Sequence, residues 1–144
     1  MIKKKELRKK IIQDKINSVI DSLDFVEQEL PNTFEDFNSR IIRNAIYKEI
    51  EFAMQNIIDI CAIINSDLRL GAPETEDSIF DHLEKNKIFA KQSMNKIREM
   101  KSFRNILVHR YGDIDDKRAF ISIKEGLRDF ALIINEIEKF LKKF

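Results

Sequence analysis

The stretch IIRNAIYKEIEFAMQNIIDICAIINSDL, residues 41–68, decides the fold. Ile42, Ile46, Ile50, Ala53, Ile57, Cys61, Ile64 and Leu68 recur at gaps of three and four, the period of a helix with one buried face. The helical pattern runs from about Phe34 to Leu70, long enough to bend, and Gly71 is expected to stop it, with a loop at Ala72–Thr75. Upstream, Ile12, Ile16, Val19, Leu23, Val26 and Leu30 form a second stripe that ends near Pro31, and Thr33 can cap the helical segment after it, with Asp36 three places on. Downstream, Ser78 is expected to cap a short helix carrying Ile79, Phe80 and Leu83. A further helix runs from after Asn86 through Phe89, Met94, Ile97 and Leu107 and ends near Gly112. Asp113 to Asp116 form a turn that can cap a last helix, whose stripe is Phe120, Ile123, Leu127, Phe130, Ile134, Ile137, Leu141 and Phe144. Gly126 interrupts that helix at a propensity cost of about 1 kcal/mol, which suggests a close helix contact there. No strand pattern, hairpin signal or internal repeat competes. The expectation is an all-α, up-and-down bundle of four long helices plus a short one, one domain over residues 1–144.

Composition agrees. Apolar residues make up 43% of the 144, enough for one core, charged residues 35%, and there are only three glycines and two prolines. Cys61 is the single cysteine, so no internal disulfide forms, and its apolar run marks it as a buried small side chain. The basic N-terminus lacks the apolar region of a secretory signal, and no apolar run approaches the roughly 20 residues of a membrane span. A cytoplasmic protein without membrane contact is expected. The net charge of +1 conceals segregation: residues 74–84 hold five acids and no base, whereas residues 91–111 hold Lys91, Lys96, Arg98, Lys101, Arg104 and Arg110 against Glu99 alone. Such a basic segment suits phosphate binding, and it equally suits solvated helix positions paired with acids elsewhere.

Within it lies SFRNILVHRYGD, residues 102–113, with one of only two histidines. On a helix Arg104 and Tyr111 fall on nearly one line, and Asn105 and His109 on the next, so four polar groups share a side. Histidine gives or takes a proton near neutrality. Arginine offers a charged fork to phosphate oxygens, and asparagine can orient the histidine or the phosphate. RNA carries its own nucleophile, the 2′-hydroxyl, so a base, an acid and a cation suffice without a metal or cofactor. Neither His82 nor His109 has metal-ligand spacing to other donors, and no nucleotide-binding loop or serine-nucleophile motif is present. From the residues alone, two readings stay open: a reactive cluster, or a capped helix end with a partly buried histidine.

The string RNILVHRY resembles the Arg-x4-His-x-Tyr signature of HEPN-domain ribonucleases of the HepT type. The QNIIDI segment, the Pro73 loop, the acidic short helix and the DIDD turn are similar too, so the resemblance covers roughly residues 40 to 140. It implies a HEPN-like helical homodimer that cleaves RNA, with transfer RNA a candidate, where two copies of the motif meet. Carried over, Arg104 stabilises phosphate charge, Asn105 positions it and His109 transfers protons. Arg98, Lys101 and Arg110 are the expected RNA-binding cations. Tyr111 is the expected acceptor of AMP from a cognate MntA-type nucleotidyltransferase antitoxin. The competing expectation is a non-catalytic helical dimer that binds a nucleotidyltransferase or RNA.

Overall fold

A computed structural model describes residues 7–144; most of the basic N-terminal run lies outside the described residues. Six α-helices succeed one another along the described residues: α1 (Lys9–Glu29), α2 (Phe34–Phe37), α3 (Arg40–Asp67), α4 (Glu76–Lys85), α5 (Lys91–His109) and α6 (Asp116–Leu141). The all-α bundle is as expected, with four long helices and a second short one, α2, besides α4.

α3 is the central helix. It buries residues round more than one face, from Ile46 to Asn65, because α1, α4 and α5 all pack against it. α1 delivers Ile12, Ile16, Val19, Leu23 and Val26 of the expected stripe to the core, and Leu30, its C-cap, packs there only partly buried. Ion pairs Arg8–Asp67 and Lys15–Asp59 set α1 antiparallel to α3, and the Lys9 ammonium on the Phe144 carbonyl sets α1 antiparallel to α6. Cys61 is buried within this core, where desolvation pushes its thiol up to about 12.

Five local expectations need correction, the first being that α5 begins only at Lys91 and leaves the buried Phe89 in the loop before it. The segment from Phe34 to Leu70 is not one helix: it breaks at Asn38–Ser39, where Arg43 Nη1 binds the Asn38 Oδ1 at 2.6 Å. The break lets α2 turn inward and stack Phe37 on Phe120, ring centroids 4.9 Å apart. Gly71 does not stop α3. Arg69 does, in the left-handed conformation at φ 53°, with the Leu70 N–H closing back onto the Asn65 carbonyl. The cap of α4 is Thr75 rather than Ser78, the two side chains bonding reciprocally to each other's backbone N–H at 3.0 Å. At Gly126 a Cβ would meet nothing within 4 Å, so this glycine marks no close helix contact. Asp115 does cap α6, accepting from the Arg118 N–H at 3.2 Å. No helix among the described residues is long and apolar enough to cross a membrane.

Candidate active site

The motif occupies the C-terminal half of α5 and the turn after it. Leu107 enters the core and fixes which side of the helix faces outward. Arg104 is 9% exposed and meets three elements at once. Its Nη1 donates to Gln55 Oε1 of α3 at 2.8 Å, and its Nη1 and Nη2 together clamp the Glu76 carboxylate at the start of α4, at 3.0 and 2.5 Å. Its Nε and Nη2 donate to the Asn105 Oδ1 at 3.0 and 2.8 Å. Guanidinium is a donor only, so the Asn105 atom facing it must be the oxygen, and the Asn105 amide N–H pair points the other way.

His109 is the last residue of α5, one turn beyond Asn105 and on the same strip. It is exposed and has no hydrogen-bond partner among the described residues. The helix ends there, and Tyr111 falls in a 3₁₀ turn over Tyr111–Asp113 instead of continuing Arg104's line. Tyr111 is turned toward the start of α3, where with Arg40, Arg43, Tyr47 and Asp116 it lines a pocket of about 340 Å³. The Tyr47 hydroxyl donates to Asp116 Oδ1 at 2.6 Å, and burial followed by that carboxylate raises its pKa well above the usual phenol range. Arg104, Asn105 and His109 thus stay together on one strip, while Tyr111 stands off at the helix end.

The basic segment is largely neutralised from within. Arg98 bridges Asp81 and Glu84 at 2.8 and 2.7 Å, Lys101 pairs with Asp77 at 3.0 Å, and Arg104 takes Glu76. The acids of α4 and the bases of α5 run in opposite directions, which makes an antiparallel ladder. Of the three cations expected to bind RNA, Arg98, Lys101 and Arg110, Arg110 is the one that faces solvent, 64% exposed and 3.7 Å from Asp113. His82 sits elsewhere, its Nδ1 3.0 Å from Asn65 Oδ1, and pins the loop between α3 and α4. Among the described residues no group of three or more His, Cys, Asp or Glu is placed to hold a metal ion. Sequence reasoning missed Glu76 and Gln55. The signal for Glu76 was the acidic run opposite the basic one; for Gln55 there was only its place in the QNIIDI segment.

A family model described as "Ribonuclease HepT-like" matches residues 19–137. A tRNA nuclease HepT from Aphanizomenon flos-aquae is 27% identical over 132 residues, 91% of this chain and 90% of that one. An mRNA nuclease HepT from Shewanella oneidensis is 24% identical over 97 residues, 67% of this chain and 73% of that one. Among solved structures, the tri-AMPylated Shewanella oneidensis HEPN toxin in complex with the MNT antitoxin superposes at a TM-score of 0.82. It is 22% identical and covers 90% of this chain and 97% of that one.

Proposed function

The chain belongs to the HepT-like ribonuclease family, and from that premise we propose that it is the toxin of a toxin–antitoxin pair, an endoribonuclease acting in the cytoplasm as one HEPN-like unit over residues 1–144. Support comes from relatives described as HepT nucleases of transfer RNA and of messenger RNA. Transfer RNA is the first substrate to test, because that relative spans nearly the whole chain.

The observation that carries the chemistry is an exposed His109, without a side-chain partner among the described residues, one helical turn from an Asn105 whose oxygen is taken by Arg104 and whose amide N–H groups have no acceptor among those residues. In the proposed reaction a histidine removes the proton from a 2′-hydroxyl, and the 2′-oxygen attacks the adjacent phosphorus. The bond to the 5′-oxygen breaks, and that oxygen leaves with a proton from a second acid. The products are a 2′,3′-cyclic phosphate and a 5′-hydroxyl, with no metal or cofactor in any step. The Asn105 N–H pair faces the phosphate oxygens, Arg104 stands behind it, and Arg110 is the cation exposed for the RNA backbone. Arg98 and Lys101 act on RNA only indirectly in this reading, by holding α4 against α5.

One chain offers one motif histidine, so we place the site at the two-fold axis of a homodimer, where a second copy of His109 supplies the acid. Exposed apolar side chains near the motif, Val108 at 46% and Ile106 at 36%, suit such a contact. The antitoxin partner is a MntA-type nucleotidyltransferase that transfers AMP to Tyr111, half exposed at the helix end. The added phosphate would bring negative charge and bulk beside the cluster. The testing experiment compares His109→Ala with the unmodified protein. Cleavage and growth inhibition are expected to vanish together while fold and dimer persist, and intact toxicity in that variant would remove His109 from the site.

A further inference from the structure

Arginine in a nuclease motif is ordinarily read as a phosphate ligand, but here the guanidinium of Arg104 has nothing left to give. A guanidinium carries five N–H donors. Nε serves Asn105, Nη1 serves Gln55 and Glu76, and Nη2 serves Glu76 and Asn105, so each of the five has an acceptor. The side chain is 11% exposed, and its charge is matched by the Glu76 carboxylate. A phosphate oxygen would have to displace one of these bonds to reach it.

We infer that Glu76 is a positioning residue of the nuclease site: it locks Arg104, and through Arg104 it fixes the Asn105 amide with its N–H groups toward the substrate phosphate. This rests on the nuclease reading above. The chain of contacts crosses three helices. Glu76 is the first residue of α4, where a carboxylate also suits the helix N-terminus, and the Thr75–Ser78 capping box holds that turn in place. Gln55 braces the same guanidinium from α3, accepting through its oxygen. No acceptor among the described residues takes the Asn105 Nδ2 hydrogens, so the relay ends on a donor aimed outward. Asn105 touches the phosphate; Arg104 and Glu76 act through it.

The test uses the full chain with Glu76→Gln and Arg104→Lys, both checked for fold by circular dichroism. Side-chain amide signals of Asn105, identified by their loss in Asn105→Asp, are followed by NMR and are expected to shift and broaden in Glu76→Gln. With transfer RNA as the probe, kcat is expected to fall on the order of 10- to 100-fold in both variants, with KM changed less than about threefold. Binding of labelled transfer RNA, measured in the His109→Ala background, is expected to keep its salt dependence in Glu76→Gln, since no phosphate contact is gained or lost. Tighter RNA binding with a log–log salt slope steeper by about 0.7–0.9 would mean that Arg104, once freed, takes a phosphate, and would overturn the inference. An unmoved Asn105 amide, or a wild-type kcat in Glu76→Gln, would overturn it as well. If the unaltered chain cleaves no RNA while the Asn105 amide still responds to Glu76→Gln, the nuclease reading falls and the control of Asn105 by Glu76 stands.

Discussion

Replacing Gly71 by alanine would set a Cβ 2.5 Å from the His82 ring, which is itself bonded to Asn65. The ring must move, and the His82–Asn65 link with it, so Gly71→Ala is expected to lower stability by about 1–3 kcal/mol. In the His82→Ala background the same change should cost much less, and urea melts of the double-mutant cycle read that coupling directly. Gly126→Ala should act with the opposite sign. It meets open space in the interior of α6, so the gain in helix propensity, up to about 1 kcal/mol, is expected to raise the melting midpoint. Sequence could not separate these two glycines. One looked like a helix stop and the other like a contact; the first is a contact with a histidine 11 positions away, and the second is neither. Such a distinction depends on which side chain arrives from another element.

Helix by helix, the sequence disclosed more of the packing than of the pairing. The stripes of α1 and α6 are buried largely as their periodicity requires. The break at Asn38–Ser39 escaped because helical spacing continues across it and only the aromatic cluster around Phe37 reveals why the chain turns. Charge was legible as an acidic run and a basic run, but their destination was not, since it depends on the register of α4 against α5. That register makes a graded prediction. Asp77 is mostly exposed opposite Lys101, so Asp77→Asn should change stability by no more than about 0.5 kcal/mol. Glu76→Gln leaves the buried Arg104 without its counter-charge and should cost more, about 1–2 kcal/mol after allowing for the partial exposure of Glu76. Denaturant unfolding of the two variants side by side checks the ranking; equal effects would mean that the ladder is uniform and Arg104 has no special place in it.

For the assembled molecule, the motif was legible because one of only two histidines and one of only two tyrosines stand within eight residues of Arg104 and Asn105. His109 and Asn105 keep the helical relation that their spacing of four dictates. Tyr111 does not keep Arg104's line, because the helix ends at His109 and the 3₁₀ turn redirects the chain. A proposed dimer that joins two copies of His109 has a consequence for the surface beside it. Val108→Asp is expected to convert a roughly 34 kDa particle, twice the 17.1 kDa chain, into a folded monomer that has lost cleavage. Ile20→Asp on α1, where the side chain is also exposed, should leave the dimer intact. Light scattering on both variants decides this, and a Val108→Asp protein that stays dimeric and active would place the interface elsewhere. The measurement that bears most directly on the nuclease reading is cleavage of transfer RNA in excess EDTA by protein shown by mass to be free of AMP, beside His109→Ala. Fragments ending in a 2′,3′-cyclic phosphate, absent with the variant, are the predicted result. Cleavage that EDTA abolishes, cleavage that survives His109→Ala, or none at all across transfer and messenger RNA would contradict it.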